Sequence, residues 1–166
     1  GPGDFSERGT IFCDNGKDDD GDGRVDYAID DSGDPGCSGP ADIDERGDAV
    51  CDDGLDNDND GRNDFAVDGS GDPGCSSLAD TSERGSATCD NGIDDDGDGA
   101  TDYNLTLALR DPGCDSIVDG SELGNLECDD GRDNDLDGYT DYRLSGGDLG
   151  CRSLSQDNER CTGAAC

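Results

Sequence analysis

Apolar residues are thinly scattered along this chain, outnumbered by Asp, Asn and Gly, which favour turns over regular elements. Secondary structure is therefore expected to be sparse. Residues 24–27 and their equivalents alternate apolar and acidic positions and predict short β-bridges. Leu105, Leu107 and Leu109 also alternate, and that stretch reads equally as a strand or as an exposed loop. Asp or Ser followed by Glu, just before Arg-Gly, predicts single helical turns.

The pattern recurs along the chain. Cys13, Cys51, Cys89 and Cys128 return at a period of about 38 residues, and self-similarity at a fixed period predicts a linear array. Cys166 stands where a fifth copy would begin. Cys37, Cys75, Cys114 and Cys151 follow the first four at a nearly constant offset. The expected parts are a partial link at 1–12 and repeats at 13–50, 51–88, 89–127 and 128–166, the last carrying a C-terminal link. Each repeat holds an acidic loop, a variable spacer, Asp-Pro-Gly-Cys, and a link ending in Glu-Arg-Gly or a near variant. The fourth departs with Asp148-Leu-Gly-Cys151, and its link has Gln156 in place of the acid and an added Cys161.

Every acidic loop has the spacing D-x-D-x-D-G-x-x-D. Alternating Asp around a Gly turn wraps oxygen ligands around a hard dication, so calcium is expected, at least one ion per repeat. In the first loop the ligands would be Asp18, Asp20, Asp22, the Arg24 carbonyl and Asp26. The second would use Asp56, Asp58, Asp60, the Arg62 carbonyl and Asp64. The third would use Asp94, Asp96, Asp98, the Ala100 carbonyl and Asp102. The fourth would use Asp133, Asp135, Asp137, the Tyr139 carbonyl and Asp141. The loops match the front half of an EF-hand, but Ile29 stands where the bidentate Glu would be, and no flanking helix pair is present. Surplus acids include Asp19, Asp34, Asp42, Glu45, Asp72 and Asp95. Asp14, Asp52, Asp90 and Asp129, in the turn before each loop, suggest a second ion per repeat. The alternative is that these acids simply keep the surface solvated.

Charge and composition narrow the picture. The 166 residues include 45 Asp and Glu against 11 Lys and Arg, a net charge of −34. That excludes a generic nucleic-acid binder and disfavours direct contact with anionic membranes. Hydrophobic residues make up only 28% of the chain even with the cysteines counted, too little for a large core, so metal ions and disulfides must hold the fold. Ten regularly spaced Cys without His, amid hard carboxylates, read as disulfides in an oxidising, extracellular setting rather than as zinc ligands. Two registers stand. One lies within repeats: Cys13–Cys37, Cys51–Cys75, Cys89–Cys114 and Cys128–Cys151, with Cys161–Cys166 closing the tail. The other spans the links, from Cys37–Cys51 to Cys151–Cys166. The first is preferred because all ten cysteines pair locally.

The joined D-x-D-x-D-G loops and cysteine rhythm resemble the thrombospondin type 3 repeats and related Asp-rich repeats of bacterial surface proteins. The resemblance implies an extracellular array organised by calcium. It covers the loops and the cysteines, not the spacers, and the wider cysteine spacing here carries no pairing over. The expected fold is thus a mostly irregular, loop-rich linear array of four calcium-binding, disulfide-stapled repeats.

No nucleophile with a recognisable base stands out, so no enzyme is expected. The expected function is structural, a calcium-rigidified rod whose copies self-associate head to tail into a surface or matrix filament. The alternatives are a calcium-dependent adhesin or spacer stalk that binds a protein or glycan through residues 104–110, and a calcium buffer or mineral-binding protein. Asn104-Leu-Thr106 is a glycosylation sequon. Tyr27, Phe65, Tyr103 and Tyr142 follow the last loop acids and are read as small plugs rather than ligand platforms.

Overall fold

A computed structural model of the chain describes residues 8–161. The only regular elements among them are three single turns of 3-10 helix, Phe12–Asp14, Val50–Asp52 and Thr88–Asp90. These lie at the first cysteine of a repeat, just past the links expected to be helical. Each is closed by a local bond, such as Asp14 N–H to the Ile11 carbonyl at 3.0 Å. No β-bridge forms at 24–27 or its equivalents, and the cause is local. Asp26, Asp64, Asp102 and Asp141 hold φ of 51°, 53°, 54° and 49°, the left-handed region, which interrupts an extended strand. Residues 105–109 form a turn, with the N–H groups of Leu109 and Arg110 on the Thr106 carbonyl at 2.8 and 3.2 Å.

Four disulfides staple the repeats internally: Cys13–Cys37, Cys51–Cys75, Cys89–Cys114 and Cys128–Cys151. The link-spanning register is not adopted. The expected Cys161–Cys166 pairing lies partly outside the described residues. The eight half-cystines are the buried apolar residues, and the buried polar side chains are all carboxylates. There is no large hydrophobic core among the described residues. Closing a loop of about 25 residues contributes roughly 3 to 4 kcal/mol per disulfide in the chain-entropy account, so the staples carry stability that burial cannot supply.

Backbone bonds fold each acidic loop back onto its cystine. The N–H groups of Tyr27, Phe65, Tyr103 and Tyr142 bond the carbonyls of Cys13, Cys51, Cys89 and Cys128 at 2.9–3.0 Å. The link then runs tightly against the glycine of Asp-Pro-Gly-Cys. A Cβ at Gly36, Gly113 or Gly150 would lie 1.7, 1.5 or 1.5 Å from the carbonyl oxygen of Glu45, Glu122 or Glu159. The fourth repeat accordingly keeps Gly150 while Leu149 replaces the proline.

The chain divides into two compact units, Gly1–Asp58 with Arg62–Glu83, and Asn59–Gly61 with Arg84–Cys166. Within the first, Val67 of the second repeat lies over Gly23 of the first, and its N–H bonds the Gly21 carbonyl at 3.2 Å. Within the second, Leu144 covers Gly99 and bonds the Gly97 carbonyl at 3.0 Å, and Leu105 covers Gly61 and bonds the Asn59 carbonyl at 2.9 Å. One spacer residue thus docks on the loop glycine of the repeat before it.

Candidate metal centres

The acidic loop is shaped by its own carboxylates. Asp18 accepts from the N–H groups of Gly21 and Gly23 at 2.7 and 3.1 Å, and Asp94 from Gly97 and Gly99 at 2.7 and 3.1 Å. Asp133 accepts from Asp137 and Gly138 at 3.1 and 3.0 Å. Gly23, Gly99 and Gly138 have φ of 91°, 94° and 99°, open to glycine and strained for other residues. Further along, each Asp spends one oxygen on an N–H two residues on. Asp20 takes Asp22 at 3.2 Å, Asp22 takes Arg24, Asp98 takes Ala100 at 2.6 Å and Asp137 takes Tyr139 at 2.9 Å. Asp34 and Asp111 take Gly36 and Gly113, both at 2.7 Å, and Asp148 takes Gly150.

The second oxygen is left over. Oδ2 of Asp20, Asp22, Asp34, Asp98, Asp111 and Asp148 is buried without a hydrogen-bond partner. Such atoms are rare in folded proteins, because an unmet buried acceptor costs about 1–3 kcal/mol and a charged one more. They also converge. One oxygen each from Asp20, Asp22 and Asp34 lies within 4.8 Å of the others, and so does one each from Asp18, Asp20 and Glu45. Asp20 belongs to both groups, so the first repeat holds an outer and an inner cluster side by side. The same outer cluster recurs as Asp56, Asp58 and Glu83, and as Asp94, Asp96 and Glu122.

The link glutamates close the outer clusters from beneath. Glu45, Glu83, Glu122 and Glu159 are 1%, 2%, 2% and 0% exposed. Each reaches across its repeat to two backbone donors. Glu45 takes Asp19 and Asp26 N–H at 2.6 and 3.0 Å, and Glu122 takes Asp95 and Asp102 at 2.5 and 3.0 Å. Glu83 takes Asn57, and Asp64 at 2.9 Å, while Glu159 takes Asn134, and Asp141 at 2.9 Å.

Crowded burial resists ionisation. Burial first, then the charges of Asp22, Asp20 and Glu45, pushes Asp34 up to about 7. Burial and Asp98, Asp96 and Glu122 do the same to Asp111, also about 7. Asp96 rises to about 6, through burial and then Asp98 and Asp94.

The turn acids feel charges of the preceding repeat as well as of their own. After burial, the charges that raise Asp52 to about 7 are Asp20, Asp22, Asp34 and Asp64, and those that raise Asp129 to about 7 are Asp96, Asp98 and Asp141. A close glycine seats them, since a Cβ at Gly47 or Gly124 would come within 2.4 or 2.3 Å of Asp52 or Asp129 Oδ2. Asp14 and Asp90 occupy the same turn, accepting from Gly9 and Gly85 N–H at 3.1 and 3.0 Å.

Other expected ligands have different occupations. The Asp26 carboxylate is engaged by the N–H groups of Asn15 and Gly16, both at 2.9 Å, and so ties the turn to the loop. Asp64 takes Gly54 at 3.0 Å, and Asp102 takes Asn91 and Gly92 at 3.0 and 2.8 Å together with Arg84 at 2.7 Å. Asp141 takes Asp130 and Gly131 at 3.0 and 2.9 Å. Arg24, Ala100 and Tyr139, expected to lend carbonyls, are held by their N–H groups, and the Arg62 guanidinium donates to the Ser70 carbonyl. Asp60, in the second unit, is buried, and Asp72, in the first, is too. Asp133 and Asp137 stand beside Asp135, whose carboxyl is raised by burial and then by Asp137, Asp148 and Asp133. Asn104 accepts from Thr106 N–H at 2.8 Å. Tyr27 is 39% exposed, and the Arg110 guanidinium lies 4.0 Å from the Tyr103 ring centre.

Asp34 and Glu45, counted as surplus, thus stand inside the clusters. The signal was in the chain: an Asp shortly before every second cysteine, and a Glu at a fixed offset after it. No protein-family model matches the chain, and neither a curated protein nor a solved structure matches it significantly.

Proposed function

We propose that this chain is an extracellular structural array in which calcium takes the place of a hydrophobic core, and that copies join head to tail into a surface or matrix filament. The observation that carries the reading is the set of buried, unpartnered Oδ2 atoms aimed into three-carboxylate clusters. Hard oxygen donors on flexible loops suit calcium, and the chain has no His to favour softer metals. Asp18, Asp20 and Glu45 would hold an outer ion, and Asp20, Asp22 and Asp34 an inner one, giving two per repeat. An ion there neutralises charges that otherwise repel, so binding free energy becomes folding free energy. Four disulfides fit an oxidising location, and no described helix is long and apolar enough to cross a membrane.

Calorimetric titration of the metal-free, oxidised chain with calcium tests this, alongside small-angle scattering. More than four ions per chain and a contraction on binding are expected. Neither binding nor contraction at millimolar calcium would sink the reading.

A second reading, a calcium-dependent adhesin, draws on one groove of about 640 Å³ in the second unit. It is lined by Leu107, Leu109, Arg110, Tyr142, Leu144 and Leu154, among others. Replacing residues 104–110 abolishes partner binding on that reading and leaves a purely structural array intact.

A further inference from the structure

We propose that the groove of the second unit binds an acidic, leucine-bearing peptide segment of a partner protein, with the partner's carboxylates on Arg110 and Arg152 and its aliphatic side chains against Leu107, Leu109, Leu144 and Leu154. The inference rests on the second, adhesin reading above and names its ligand.

Three departures from the repeat raise the charge here. The residue before the Asp of Asp-Pro-Gly-Cys, or of its fourth variant, is Gly33, Gly71 and Gly147 in three repeats but Arg110 in the third. A Cβ on Gly33, Gly71 or Gly147 would lie 2.4, 2.5 or 2.6 Å from a backbone atom of its own repeat, so those positions leave no room for a side chain. The third spacer is longer, with a cysteine separation of 25 against 24, 24 and 23, and its turn on the Thr106 carbonyl carries the arginine instead. After the second cysteine come Ser38, Ser76 and Asp115, but Arg152 in the fourth repeat. The link acids Asp42, Asp80 and Asp119 give way there to neutral Gln156, whose Oε1 accepts Arg152 N–H at 3.2 Å.

Both cations are unspent. Arg110 Nε donates to the Asn104 carbonyl at 2.8 Å and its guanidinium lies 4.0 Å from the Tyr103 ring centre, which holds the group while its terminal nitrogens bond nothing described. Arg84 and Arg132 pair with Asp102 and Asp130, but no described carboxylate lies within ion-pair distance of Arg110 or Arg152. Asp98, the acid among the lining residues, is 3% exposed with its Oδ1 on Ala100 N–H at 2.6 Å, so it lends the groove little negative charge. On a chain of net charge −34, a cationic partner finds acids almost anywhere, whereas an anionic one is repelled except here. The walls add the apolar half of the ligand. Leu107, Leu109 and Leu144 are 78%, 65% and 69% exposed. A sugar would bury hydroxyls against these aliphatic walls at a cost that an aliphatic side chain avoids. Arginines beside an apolar groove are a recurrent way to read acidic peptide motifs.

Fluorescence anisotropy of a short dye-labelled peptide of alternating leucine and glutamate, titrated with the oxidised, calcium-loaded chain, is the test. The peptide should bind, and binding should weaken as salt rises. Glutamine in place of its glutamates, or serine in place of its leucines, should each weaken binding at least about tenfold. Arg110→Gln and Arg152→Gln should do the same, while Arg132→Gln, outside the groove, leaves it unchanged. Arg152→Gln keeps the test valid if Arg110→Gln disturbs the spacer, since the Arg152 side chain is exposed and touches no carboxylate. No binding, equal binding of the glutamine peptide, or binding undiminished in Arg152→Gln would overturn the proposal. So would an oligogalacturonate that binds more tightly than the peptide and is lost in the same variants, which would make the groove a glycan site. Contraction in calcium is read by scattering on the same samples, so failure of the groove and failure of the calcium-ordered fold are scored apart.

Discussion

Replacing Asp111 with Asn should move stability in opposite directions with and without metal. Asp111 is fully buried, its Oδ1 accepts from Gly113 N–H at 2.7 Å, and its Oδ2 is unpartnered beside Asp96 and Asp98. Asn keeps the first acceptor and turns the second position into a donor facing two carboxylates. The wild-type carboxyl titrates at about 7 in the fold against an ordinary value of 3.8. At pH 8 its ionisation therefore works against the metal-free fold by at most about 4 kcal/mol, at 1.36 kcal/mol per pKa unit. With few atoms around the site to exclude water, a gain of about half that is the practical expectation for the variant in chelator. Calcium reverses the balance. One site filled at a hundredfold excess over Kd adds about 2.7 kcal/mol. The variant, short of one ligand, should lose most of that increment for the inner ion. Urea unfolding at pH 8, in chelator and in calcium, reads both effects. A variant less stable than the parent in chelator, or one with an undiminished calcium increment, would refute the reasoning.

Three further outcomes follow from the same geometry. Gly113→Ala puts a Cβ 1.5 Å from the Glu122 carbonyl oxygen, so it should destabilise the third repeat by about 1–3 kcal/mol or more and weaken its outer site, read by urea unfolding and calcium titration. Reduction of the four disulfides inside the repeats removes on the order of 14 kcal/mol by loop entropy, so the fully reduced, metal-free chain should expand to unfolded dimensions by small-angle scattering. In metal-free solution, Asp34, Asp52, Asp111 and Asp129 titrate at about 7 when folded and near 3.8 when unfolded. Between those values the fold holds more protons than the unfolded chain, so stability should rise as pH falls from 8 to 4. In calcium the trend should invert, because protons displace the ion.

The sequence carried the repeat frame plainly, since the even offset from each first cysteine to its second left one register with local partners throughout. Loop acids such as Asp18, Asp20 and Asp22 were legible because alternation around glycine has one strong meaning. Asp26 was misleading. It has the spacing of a ligand, but its left-handed backbone turns the carboxylate onto Asn15 and Gly16 N–H. Asp34 and Glu45 were hidden for another reason. Both lie well past the end of the loop in the chain, and only reversal at the cystine brings them back to it. Strands expected at 24–27 failed on one dihedral per repeat, which apolar alternation does not encode.

A core of cystines and carboxylates has a thermal consequence. Unfolding raises heat capacity where apolar surface becomes wet, by about 0.45 cal/mol/K per Å², and lowers it where polar surface does, by about 0.26. A chain whose buried side chains are half-cystine and carboxylate exposes little of the first kind. Its heat-capacity change should fall well below the usual range of roughly 12–15 cal/mol/K per residue, flattening the curve of stability against temperature. An ordinary domain weakens toward the cold as hydrophobic stabilisation fades and toward heat as chain entropy wins. This chain should therefore lack most of the loss of stability on cooling that a hydrophobic core brings, and weaken almost linearly with temperature on heating.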